Sequence, residues 1–166
     1  MVGSHAARAD DDGPARAYAR RSTTVFVATE LSPLPTVATR VELGAGLRLH
    51  RRGGLAVEVR LGGAFSASGV AGGYLFGARA GVSAGHALAV TRRIVVTPMI
   101  AGDVFAYRQS GDASNLVIPR LTVELPVSVV IYPHVVIEPT VQLGVQWLDG
   151  SRDVAVVVAP RIGVVL

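Results

Sequence analysis

The side chains that could do chemistry are few, and they exclude more than they offer. His5, His50, His86 and His134 are scattered along the chain without a spacing such as His-Glu-x-x-His, and there is no cysteine to join them. A metal site is therefore not expected, nor is thiolate catalysis or a disulfide framework. Glycines at Gly62-Gly63, Gly72-Gly73 and within 77–85 do not sit in a strand-loop-helix phosphate cradle. No cofactor is expected. What remains is charge: Arg40, Arg48, Arg60, Arg79, Arg120 and Arg161 beside Glu42, Glu58, Asp103, Glu124 and Glu138. All sixteen basic residues are Arg, whose forked guanidinium can hold carboxylates bidentately in a confined space.

Positioning such a set requires a framework, and composition narrows it. The 166 residues suffice for one domain. Half are hydrophobic, only 17% are charged, and mean hydropathy is +0.45, an odd surface for an ordinary soluble protein. The formal charge of +4 is small, so the pI near 10.3 reflects arginine and does not imply nucleic-acid binding. The longest apolar runs, such as 154–160, are far short of the roughly 18–20 residues of a transmembrane helix. High hydropathy without such a run points to strands.

Residues 1–21 are expected to be a flexible tail outside the fold. It is either the end of a signal peptide, cleaved after Ala7-Arg8-Ala9, or a cloning remnant in Val2-Gly3-Ser4-His5. From residue 22 to 166, eight β-rich segments are expected at 22–31, 39–50, 54–65, 73–90, 94–109, 115–131, 135–148 and 153–166. Most reach the roughly 9–11 residues with which a tilted strand crosses a bilayer.

Alternate residues of a strand share a face. Val154, Val156, Val158, Pro160, Ile162, Val164 and Leu166 form a wholly apolar face. In the seventh segment Val135, Ile137, Pro139, Val141, Leu143, Val145 and Trp147 alternate with Glu138, Thr140, Gln142 and Gln146. The sixth, second and third repeat the pattern. Alternation does not say which face is inside: a soluble lipocalin-like barrel holding a small apolar ligand buries the apolar face, whereas a membrane barrel exposes it. The polar face decides. Near-balanced Arg and acids among small residues, without Lys, suit a narrow lumen better than a solvated exterior.

In an antiparallel meander the two ends differ. One collects Arg20, Arg21, Arg51, Arg52, Arg92 and Arg93; the other collects Phe65, Tyr74, Phe76, Phe105, Tyr107 and Trp147, read as an interfacial aromatic belt. Pro98, Pro126, Pro139 and Pro160 fall at one level, which predicts bulges or weakened pairing. A bulge in the fifth segment would turn Phe105, Tyr107 and Asp103 outward together.

On this pattern, over residues 22–166, the chain resembles the small eight-stranded outer-membrane β-barrel proteins of Gram-negative bacteria. It departs from them in ending with Leu166 and not an aromatic residue, and in short loops at 111–115 and 149–153. The resemblance implies an all-β, antiparallel up-and-down transmembrane barrel in the outer membrane, with the lipid bilayer and outer-membrane lipids as partners and a structural or surface-interaction role. Protein partners are not specified. Outer-membrane lipid A deacylases are similar in size and use a His-x-Ser pair; here Ser83 precedes His86 at a different spacing. An outer-membrane lipid-modifying enzyme and the soluble barrel are the two alternatives.

Overall fold

The computed structural model describes residues 13–32, 40–67, 74–109, 115–132, 134–148 and 150–166. His5, the run Asp10-Asp11-Asp12, Gly72-Gly73 and most of the 111–115 loop lie outside them, as do the side chains of Arg40, Glu42, Phe65 and Tyr74.

A short helix, α1 (Pro14–Arg20), leads into ten strand segments: β1 (Ser22–Ser32), β2 (Arg40–His50), β3 (Leu55–Ala67), β4 (Tyr74–His86), β5 (Leu88–Ala89), β6 (Ile94–Val96), β7 (Met99–Gln109), β8 (Asn115–Tyr132), β9 (Val135–Leu148) and β10 (Ser151–Val165). All pairings are antiparallel. The order β4-β3-β2-β1-β10-β9, with β9 on β8, β8 on β7 and β7 on β4, closes an eight-stranded barrel. The pair β5 and β6 prolongs β4 and β7 in their own register, Leu88↔Val96 continuing Gly85↔Met99.

The proline level acts by weakening pairing, without moving register in the fifth segment. Proline has no N–H to donate, so the β1–β10 ladder passes from Ala28↔Arg161 to Leu31↔Val158 and skips the positions opposite Pro160. Likewise β8–β9 passes from Pro126↔Thr140 to Val129↔Ile137. Between β6 and β7, Val96↔Val127 and Met99↔Glu124 share one register across Thr97-Pro98. The β8–β9 register shift falls instead at Val130/Tyr132.

Strand parity puts the apolar face outside. Val27, Leu43 and Leu61 are each 64% exposed, and Val82, Ile100, Val123, Val141, Leu143, Val154 and Ile162 are exposed with them. The soluble lipocalin-like alternative needs these residues inside. Alternate positions turn inward: Arg48, Glu58, Asp103, Arg120, Glu124, Glu138, Gln142 and Arg161 are all buried.

The boundary expected at residue 22 is corrected by α1. Proline at the first helical turn pre-sets φ, and Ala15, Tyr18 and Ala19 form one buried stripe. That stripe packs on Phe26, Ala87, Val95, Val130 and Val136 across the basic end of the barrel. Ala15 N–H donates to the Arg92 carbonyl at 3.1 Å, and Ser22 Oγ donates to the Tyr18 carbonyl at 2.8 Å. A tail reading misses this because the helix gains its stability from a lumen mouth that no local pattern reveals.

Candidate functional site

Among the described residues, five guanidinium groups and five carboxylates occupy the lumen. Lowest, above α1, Glu138 on β9 accepts a forked pair from Arg48 on β2, Nη1 at 2.5 Å and Nη2 at 2.8 Å. Ser128 Oγ also donates to it at 2.5 Å. Arg48 additionally reaches Glu58 on β3 at 2.6 Å, and its guanidinium lies 4.6 Å from the centre of the Phe26 ring. At mid-height Arg161 on β10 donates to Glu58 at 2.9 Å, and Arg60 on β3 meets Glu124 on β8 at 2.6 Å. Higher, Asp103 on β7 receives Arg79 at 3.0 Å and Arg120 at 3.2 Å. Glu30 on β1 ties this upper group together by contacts to Arg79, Arg120 and Gln142.

Every one of these charges is nearly excluded from solvent, so each depends on its partners; an unpaired ion there would carry a large desolvation cost. Glycines make the space. A Cβ on Gly81 would lie 1.9 Å from Asp103 Oδ1, and one on Gly163 would lie 2.6 Å from the Phe26 ring. A cavity of about 20 Å³ remains beside Glu30, Glu58, Arg60, Arg79 and Arg161, room for about one water.

Of the residues expected to face the lumen, Arg48, Glu58, Arg60, Arg79, Asp103, Arg120, Glu124, Glu138 and Arg161 are brought together; Arg40 and Glu42 stand at the far end of β2, their side chains outside the described set. Glu30 is the member the charge pattern missed. It shares parity with Thr24 and Phe26, both buried, opposite the exposed Val25 and Val27, and that alternation is its signal.

The aromatic belt requires a correction. Phe76 and Trp147 face outward, 56% and 38% exposed, but Phe105 and Tyr107 are buried in the lumen. Phe105 lies beneath Arg120, 4.6 Å from its guanidinium to the ring centre, and beside Arg79 at 5.4 Å. A quadrupole face toward a guanidinium gives an aromatic ring a place among charges. Phe65 and Tyr74 are placed only by register, Phe65 opposite Phe76.

One Ser–His contact exists on the described residues, Ser22 Oγ with His50 Nδ1 at 2.8 Å. It lies under α1, where the Tyr18 ring meets the imidazole edge-on at 4.6 Å, and both partners are buried. Its geometry is that of a packing junction between helix and barrel. No group of three or more His, Asp or Glu residues suited to a metal ion occurs among the described residues.

The closed eight-strand fold recurs in known structures. Ail, the attachment invasion locus protein of Yersinia pestis, superposes with a TM-score of 0.58 at 11% identity, covering 87% of this chain and 96% of that one. Neisserial surface protein A gives 0.59 at 12% identity, over 88% and 96%. The N-terminal β-barrel domain of Pseudomonas aeruginosa OprF gives 0.56 at 9%, over 89% and 98%. The fold is that of the small eight-stranded outer-membrane β-barrels. No protein-family model matches the chain, and no curated protein sequence does.

Proposed function

We propose that this chain is an outer-membrane β-barrel whose lumen is plugged by its own charges, and that it serves a structural or surface-interaction role and is not an enzyme. The observation that carries the reading is the inversion of an ordinary protein: exposed Val, Leu and Ile around the whole circumference, and ten interlocked charges within. An apolar exterior of this kind is satisfied by hydrocarbon, and the eight barrel strands, of 11 to 18 residues, meet or exceed the roughly 9–11 needed to cross it. The close packing of these charges around a cavity of about 20 Å³, room for about one water, supports a plug. The similar protein Ail has been determined in a phospholipid bilayer nanodisc.

Orientation is read from the connections: the two longest gaps between strands, 33–39 and 68–73, lie at the end opposite the four-residue turn 51–54, and outer-membrane barrels keep short turns on the periplasmic side. The test is twofold. Expressed without detergent the chain aggregates; in micelles it becomes β-rich, with gel mobility that changes on boiling. In a planar bilayer it conducts no ion current. A stable monomer in plain buffer overturns the membrane reading, and a steady open conductance overturns the plug.

A further inference from the structure

The surplus positive charge of the chain sits at one end. Sixteen Arg face twelve acids in the sequence. The described lumen takes five of each, and of the eleven Arg left over seven fall in segments 13–22, 51–54 and 91–93, which contain no Asp or Glu. Asp10-Asp11-Asp12, just ahead of α1, lie between Arg8 and Arg16 in sequence; the four that matter most here are Arg21, Arg51, Arg52 and Arg93, all exposed.

Three of these surround an open hollow. Arg21, Arg51 and Arg52 line a hollow of about 340 Å³. The turn that presents two of them is fixed: Gly54 N–H donates to the Arg51 carbonyl at 3.1 Å and Arg51 N–H to the Leu55 carbonyl at 2.9 Å. Gly53 has φ +85°, the left-handed value a type II turn needs at its third residue. A Cβ on Gly54 would lie 2.7 Å from the His86 ring.

The same arginines adjoin the lipid-facing surface. Leu55, three residues after Arg52, is 50% exposed; Val90, three before Arg93, is 64% exposed. Leu166 is also exposed and donates its N–H to the carbonyl of Thr23, two residues from Arg21. Three residues of chain span at most about 10 Å at 3.3 Å per residue, so the turns hold Arg52 and Arg93 within that reach of Leu55 and Val90, which overlaps the headgroup layer bordering the hydrocarbon. Resting on the membrane reading above, we propose that this collar binds the headgroups of anionic phospholipids, with the Arg21, Arg51 and Arg52 hollow taking a phosphate. A soluble polyanion needs no such alignment with the apolar belt; charge and depth together fit a lipid surface.

The test uses the full chain, folded in micelles and verified by boiling-sensitive gel mobility, then placed in nanodiscs of equimolar phosphatidylglycerol and phosphatidylcholine. Spin-labelled versions of each lipid report their relative association. The wild type favours phosphatidylglycerol severalfold, and the preference shrinks as salt is raised. An interfacial Arg is worth about fivefold in headgroup affinity, so the double variant R51Q/R52Q loses most of the preference, R93Q loses part of it, and R108Q, at the opposite end, keeps it. A wild-type ratio near one, or a ratio unchanged in R51Q/R52Q, overturns the collar while the barrel reading stands. Displacement of labelled phosphatidylglycerol by millimolar inorganic phosphate identifies a free-anion site and overturns the lipid assignment. A chain that never acquires boiling-sensitive mobility overturns the membrane reading and the collar with it.

Discussion

Arg161 lies directly opposite Glu138 in the β9–β10 ladder, yet its guanidinium is 2.9 Å from Glu58 across the lumen and 3.6 Å from that neighbour. Glu138 is claimed instead by Arg48, from the far wall. The charges thus tie opposite walls together, and the inside of this barrel behaves as a set of crossbars more than as a row of adjacent pairs.

Unequal crossbars should break unequally. Glu138 holds both prongs of Arg48 and the Ser128 hydroxyl, whereas Glu124 holds Arg60 by one short contact. Glu138→Gln is expected to cost about 3 kcal/mol and Glu124→Gln about 1–2 kcal/mol, because each leaves a buried guanidinium under-satisfied. Urea unfolding in detergent measures both. Equal, negligible losses would place these carboxylates in water.

Gly81 is expected to tolerate no side chain. A methyl group there meets the Asp103 carboxylate that also receives Arg79 and Arg120, so Gly81→Ala should lower stability by about 1–3 kcal/mol. At Gly102, on the outward face, a Cβ meets nothing within 4 Å. Gly102→Ala should unfold like the wild type, and a reversal of the two would exchange the faces of β4 and β7.

Topology is open to thiol labelling because the chain has no cysteine of its own. Ser151→Cys should react with a membrane-impermeant maleimide on intact cells. Arg52→Cys should react only once the outer membrane is opened; Arg52 is chosen over Gly53, whose positive φ penalises a side chain. Labelling in the opposite order would invert the barrel.

Burial raises the Tyr18 phenol above its ordinary value, with nearby Arg48 opposing the shift. The folded state therefore holds this proton more tightly than the unfolded state. Stability contributed at neutral pH is retained up to about pH 10 and is lost as pH climbs from there through the folded-state value. Tyr18→Phe should remove that part of the alkaline slope, seen as the wild-type minus variant difference in unfolding midpoint. An unchanged slope would put the phenol in solvent.

Which parts of this architecture could be read in advance follows from what each signal measures. Period-two alternation reads a face directly, so it marks the eight strands and the shared inward parity of Arg48 through Arg161, and the same parity from Phe26 carries Glu30 inward. Nearness to the barrel end suggests a belt position for Phe105 and Tyr107, but they share parity with Asp103, two and four residues before them, and turn inward with it. Nothing in an aromatic side chain says which way it points; Arg79 and Arg120 supply the reason it points in. The helix α1 was hidden for another cause. Seven residues have little intrinsic helicity, and only the closed barrel creates the hollow that Tyr18 fills.

The seam between β1 and β10 bears on how such a chain comes to be made. Every other strand pairs with a near neighbour in sequence, but Thr24 must find Val165, and Arg48 must find Glu138 ninety positions away. Hairpins can form early and locally, while loop closure delays these distant meetings. Until the final strand docks, two unsatisfied edges and a half-exposed charged interior stand open to other chains. The seam is therefore the last stitch: until the final strand is sewn onto the first, the chain is safest apart from its own kind.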